Sequence, residues 1–155
     1  MEQEGISLNL EQIKALLPHR APFLLIERVV DLVPDVRCTG FKSVTLDEPY
    51  FRNMRRDYLF VPPALIIESM AQTAAIGALY TLRDEVDKRI AFLTGVQAFE
   101  LHRQVRPGDT MTLRIVKERS FGPSTKVSGQ AHVDDTLVAQ ARFTATLVDQ
   151  DAVGF

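Results

Sequence analysis

The stretch from Pro63 to about Arg83 limits the possible folds more than any other part of this chain. Leu65, Ile66, Ile67, Met70, Ile76 and Leu79, with alanines between them, fill nearly every side of a helix there. A helix that is apolar all round must be buried on most of its faces. At about six turns it is too long to be a strand. The rest of the chain has to supply the cover. With 46% hydrophobic and 25% charged residues, the 155-residue chain has the balance of one globular domain spanning 1–155.

The flanking segments read as cover of the β kind. Ser7 is the expected cap of a short helix from Leu8 to Leu17, stopped by Pro18. Phe23 to Val33 and Val36 to Val44 read as paired strands around a turn at Pro34-Asp35. A loop from Asp47 to Pro62 leads into the long helix. After it come strand candidates Ile90–Glu100, Thr110–Arg119, Thr125–Val133 and Leu137–Val148. Turns at Arg106-Pro107-Gly108-Asp109, Phe121-Gly122-Pro123-Ser124 and Asp134-Asp135 separate the last three from what precedes them. Without crossover helices these strands must pair antiparallel. The expected fold is therefore α+β: a six-stranded antiparallel sheet curled around one central helix. Such a sheet leaves edge strands, and pairing them across a two-fold axis predicts a dimer.

Bulk chemistry excludes several functions. A net charge of −2 gives no electrostatic case for nucleic acid. The single cysteine, Cys38, excludes an intrachain disulfide, and three scattered histidines lack metal-ligand spacing. No run reaches the roughly 18 apolar residues of a membrane span, and Met1 to Gly5 carries no signal pattern, so the cytoplasm is the expected location.

Five motifs in order then resemble one family. Leu17-Pro18-His19-Arg20-Ala21-Pro22-Phe23-Leu24-Leu25 looks like the opening of the FabZ-type β-hydroxyacyl-acyl-carrier-protein dehydratases. Asp47-Glu48-Pro49-Tyr50-Phe51 is similar to their NEPFF segment. Pro62 to Leu65 with Glu68, Ala71 and Gln72 resembles the MPGVLxxEAxAQ helix. Phe92 to Val96 and Val105 to Asp109 resemble the later strand and the RPVxPGD turn. The resemblance implies a hot-dog fold, dimers with active sites at their interface, and a tunnel for an acyl chain. It also implies a reaction: loss of water from a 3-hydroxyacyl thioester on a phosphopantetheine arm. That arm belongs to the substrate carrier, and no resident cofactor is expected.

The elimination needs a base for the Cα proton, help for the leaving hydroxyl, and donors to the thioester oxygen. In the family the base is the histidine of a GHFP segment. Counting on from Phe51, Met54 stands at that position, with Asn53 and Arg56 for the neighbouring glycine and proline. A thioether carries no proton near neutral pH. The family's glycine that offers its N–H to the thioester oxygen is here Pro63, which has none. Glu68 matches the helix carboxylate that handles the leaving hydroxyl. His19 is expected to be structural, a helix-end histidine bonding nearby backbone. His102 and His132 read as surface groups.

Arg52, Arg55 and Arg56 cluster in the loop that would flank the tunnel mouth, with Arg103 and Arg106 as extensions. They suit an acidic acyl carrier protein; the competing reading is a solvated loop with a salt bridge to Asp57. Phe60, Val61 and Gln72 complete the expected substrate- or partner-facing set. Three functions follow. The chain is a dehydratase-like protein that binds acyl thioester or acyl carrier protein with the standard chemistry lost or impaired. Alternatively, it is an active dehydratase or thioesterase using Glu68. Or it is a non-catalytic assembly partner, its tunnel plugged by Tyr58, Phe60 and Met70. A homodimer, a trimer of dimers and a heterodimer with an active relative all fit the sequence.

Overall fold

The computed structural model of the chain describes residues 3–154. Its central element is helix α2, Pro63–Thr81, set against a single antiparallel sheet. The sheet has seven strands, not six. They are β1 Ile6–Leu8, β2 Arg28–Val33, β3 Arg37–Ser43, β4 Arg89–Leu101, β5 Thr110–Phe121, β6 Ser124–Val133 and β7 Thr136–Asp149. The order across the sheet is β1-β2-β3-β5-β6-β7-β4. Among the described residues no helix is long and apolar enough to cross a membrane.

The extra strand comes from the segment expected to start the first helix. Helix α1 runs Leu10–Leu16 and is capped by Asn9, not Ser7. The Asn9 carboxamide accepts from the Gln12 N–H at 3.0 Å, and the Gln12 side chain accepts from the Asn9 N–H at 2.9 Å. This reciprocal box satisfies two helix-end donors at once, which a serine two residues earlier does not. Ile6 to Leu8 is thereby free to pair with β2, Ile6 opposite Leu32 and Leu8 opposite Val29.

The strand expected from Phe23 begins only at Arg28. Residues 23–25 run outside the sheet: the Phe23 carbonyl accepts from the Gln72 side chain of α2, and the Leu25 N–H donates to it.

The helix touches every strand from β2 to β7. Ile66, Met70, Ile76 and Leu79 are all but fully buried, each worth roughly 1.5–3 kcal/mol of apolar transfer. Two glycines let the layers approach. A Cβ on Gly40 of β3 would lie 2.5 Å from Thr73 Oγ1, and one on Gly129 of β6 would lie 2.9 Å from Met70 Sδ. Met70 is therefore core packing beneath β6.

The helix is not covered on every side. Ile67, Ala71, Ala74 and Ala78 are partly exposed, and Ala64 is exposed. Their spacing places them in one stripe along α2. Strand β4 pairs only with β7, leaving a long outer edge on which Leu93, Val96 and Leu101 are exposed.

Candidate functional site

The sequence puts one carboxylate, Glu68, on the apolar helix α2, and its surroundings define the candidate site. Gln72, one turn further along, donates from Nε2 to Glu68 Oε1 at 3.0 Å. The same Nε2 donates to the Phe23 carbonyl at 2.8 Å, and Gln72 Oε1 accepts from the Leu25 N–H at 2.9 Å. Gln72 is 1% exposed, so its amide is a buried group with every donor used. It replaces the sheet ladder for residues 23–25 and fixes the Glu68 side chain. Its place is thus behind the site, not on its surface.

His19 departs from expectation. The backbone-bonding role at the end of α1 belongs to Arg20, whose guanidinium donates to the carbonyls of Leu17 at 2.8 Å, His19 at 2.7 Å and Lys14 at 3.1 Å. The imidazole of His19 is released from that task. It lies over the Phe23 ring, centroids 6.4 Å apart, with Nε2 3.7 Å from Glu68 Oε1. Nδ1 is buried with no hydrogen-bond partner among the described residues. A proton there would be stranded, so the favoured tautomer keeps its proton on Nε2, facing the carboxylate. Sequence reasoning missed this contact. The available signal was Arg20, a better donor to helix-end carbonyls than its neighbour.

Met54 follows a 3₁₀ turn at Pro49–Phe51, and its N–H donates to the Phe51 carbonyl at 3.1 Å. The side chain is half-buried against the core. Phe51 anchors this loop in the interior, and a buried ion pair between Lys42 and Glu48 holds its start. Pro63 is the first residue of α2, where no N–H is needed for the helix.

The arginine loop is partly neutralised. Arg55 forks onto Asp57, with contacts of 3.2 and 2.8 Å, as the solvated-loop reading expected. Arg52 and Arg56 are exposed with no ion-pair partner among the described residues. Val61 is 3% exposed; its side chain serves the core and its N–H donates to the Val105 carbonyl at 2.8 Å. That bond brings residues 103–106 beside the loop. Gln104 Nε2 donates to the Tyr58 hydroxyl at 2.9 Å, and the Arg106 guanidinium lies 5.9 Å from the Tyr58 ring centre. Phe60 packs edge-on to Tyr58, centroids 5.5 Å apart. Arg103 pairs with Asp109 at 3.1 Å. Elsewhere, His102 is exposed near Glu100, as expected. His132 is only half-exposed, and burial, with Arg114 nearby, holds its pKa below the ordinary value.

Comparison with known proteins gives the lineage. The model of the FabA-like domain matches residues 17–142. This chain belongs to the FabA-like domain family. The FabA-like chain is 38% identical over 151 residues to the 3-hydroxyacyl-[acyl-carrier-protein] dehydratase FabZ of Acidiphilium cryptum, covering 97% of this chain and 92% of that one. Against the enzyme of the same name from Myxococcus xanthus it is 38% identical over 145 residues, covering 94% and 95%. Among solved structures, the dehydratase heterocomplex ApeI:P from Xenorhabdus doucetiae superimposes with a TM-score of 0.78 at 19% identity, over 91% of this chain and 93% of that one. A Streptococcus mutans protein, smu.793, solved bound to acetyl CoA, gives 0.60 at 15% identity, over 78% and 87%. At those identities the structures establish the hot-dog fold of this FabA-like chain and no more.

Proposed function

We propose that this FabA-like protein binds an acyl thioester, presented on a phosphopantetheine arm, beside Glu68, with ordinary 3-hydroxyacyl dehydration lost or strongly impaired. The observation that carries the reading is a contrast within one site. Glu68 is kept and held by Gln72. Met54 and Pro63 stand where the family's base and thioester-oxygen donor are expected. Losing one such donor costs on the order of a hundredfold or more in rate, and with Met54 at the histidine's position the family's own base is gone, so that base and acid duties both fall to one carboxyl. The relatives named 3-hydroxyacyl-[acyl-carrier-protein] dehydratase support the thioester as ligand. Arg52 and Arg56, with Arg106 on the adjoining loop, are the cations an acidic carrier would meet.

A second copy of the chain is part of this reading. The unpaired edge of β4 and the half-covered stripe on α2 are the surfaces a second copy would bury, giving a homodimer. The Xenorhabdus dehydratase neighbour was solved as a heterocomplex, which makes a mixed dimer the other assembly to look for.

The test is titration of the purified protein with 3-hydroxyacyl and enoyl thioesters of pantetheine and of acyl carrier protein, with turnover followed in parallel. The expected result is saturable binding with hydration and dehydration near the protein-free rate. Robust turnover, or no binding to any thioester, would sink the proposal.

A further inference from the structure

Resting on the thioester reading, we infer that Glu68 and His19 of one chain form a proton-transfer pair, with Glu68 as base toward C2 of the bound acyl group and His19 as its positioning residue. The two oxygens of Glu68 are differently engaged. Oε1 accepts from Gln72 and faces His19 Nε2 at 3.7 Å. Oε2 has no hydrogen-bond partner among the described residues. The Glu68 and His19 side chains are 23% and 27% exposed, so the pair lies at the rim of the interior, open to a ligand and to water.

The contact is longer than a hydrogen bond. Such contacts in ligand-free sites commonly tighten when substrate binds. His19 is prepared for it. Arg20 holds the His19 carbonyl, Phe23 backs the ring, and the unpartnered Nδ1 leaves Nε2 as the proton-bearing nitrogen. Gln72 ties the carbonyl of that same Phe23 to the same carboxylate. One buried amide therefore ties the carboxylate to the residue whose ring backs the imidazole.

The step balances without a further reagent. Glu68 Oε2 takes the C2 proton; the C2–H bond breaks and its electron pair moves to the thioester carbonyl as an enolate. The new carboxylic acid exchanges its proton with water and returns one to C2, restoring the carboxylate. In a 3-hydroxyacyl substrate the same acid can instead protonate the C3 hydroxyl, which leaves as water as the enolate collapses to the enoyl thioester. Pro63 offers no N–H to the enolate oxygen, which slows formation of the enolate common to both fates; elimination also asks the same carboxyl to reach the C3 oxygen, whereas exchange does not, so return to C2 is the favoured fate.

Exchange of C2 hydrogen for deuterium, followed by NMR on butyryl and 3-hydroxybutyryl pantetheine in heavy water, reads this step directly. The wild type is expected to exchange about a hundredfold or more above buffer, and Glu68→Gln to fall to the buffer rate. His19→Ala should lose about tenfold with thioester affinity unchanged, the size of one modest polar contact. His19→Gln, which keeps an N–H at similar reach, should recover most of that loss, as a merely space-filling role would not require. Should His19→Ala not fold, His19→Asn, whose amide ends short of the carboxylate, takes its place. Thioester binding without exchange in the wild type overturns the pair and leaves the binding reading standing. So does a Gln variant no better than the shorter one. Absence of binding overturns both.

Discussion

His19 Nε2 and Glu68 Oε1 stand 3.7 Å apart, and Gln72 donates to that same oxygen at 3.0 Å. The helix carboxylate is thus held by residues of its own chain.

Gln72 is the shared support, and its loss should be costly. Gln72→Leu keeps the volume but leaves the buried Leu25 N–H and the Phe23 carbonyl without partners. Urea denaturation should show a loss of about 1–3 kcal/mol. No change in midpoint would mean that water or the sheet takes over those groups.

The loop bearing Met54 is anchored by the Lys42–Glu48 ion pair, whose side chains are only 10% and 11% exposed. Lys42→Met removes one partner and strands a buried carboxylate. The expected loss is about 3–5 kcal/mol, with Lys42→Met/Glu48→Leu recovering most of it. A double-mutant cycle in denaturant measures both.

Much of this architecture was legible in the residues. The all-round apolar run gave α2 its start at Pro63 and nearly its end, because no other element buries such a pattern. Gly108, at φ 95°, and the paired aspartates at 134 and 135 marked turns where they occur. Strand β1 was not legible, since three residues are too few to display alternation. Residues 23–27 are as β-prone as a strand, but the Phe23 and Leu24 N–H groups turn back to the Arg20 carbonyl, and the Phe23 carbonyl and Leu25 N–H go to the Gln72 side chain, distant in sequence. The site divided the same way. Glu68 stood out as a charge on an apolar helix, whereas the approach of His19 depends on how α1 ends and on Arg20 taking the carbonyls.

Cys38 gives a pH prediction. It is 3% exposed, and burial, reinforced by Asp31, pushes its thiol from 9.0 up to about 12. The folded protein should resist thiol reagents at pH 8 and react fully once unfolded. Above about pH 9 the unfolded chain loses this proton while the folded one keeps it. Stability therefore falls as pH rises from 9 toward 12, by about 1.4 kcal/mol per unit from this group. Cys38→Ala should flatten that slope in denaturation series at pH 8 and pH 10.

The edge of β4 predicts the assembly. Leu93→Lys with Val96→Lys places charge on two exposed apolar positions of an otherwise unpaired edge. Sedimentation equilibrium should give a dimer for the wild type and a shift to monomer for the double variant. A wild-type monomer at tens of micromolar would redirect the search to a second, related chain as the partner.

The central claim is that the thioester site persists while its usual chemistry has been removed at two positions. Dehydration of a 3-hydroxyacyl group on acyl carrier protein, compared between the wild type and Met54→His/Pro63→Gly, tests it most directly. The wild type should run near the protein-free rate, and the double variant about a hundredfold or more above it. Equal and substantial turnover by both proteins would contradict the account.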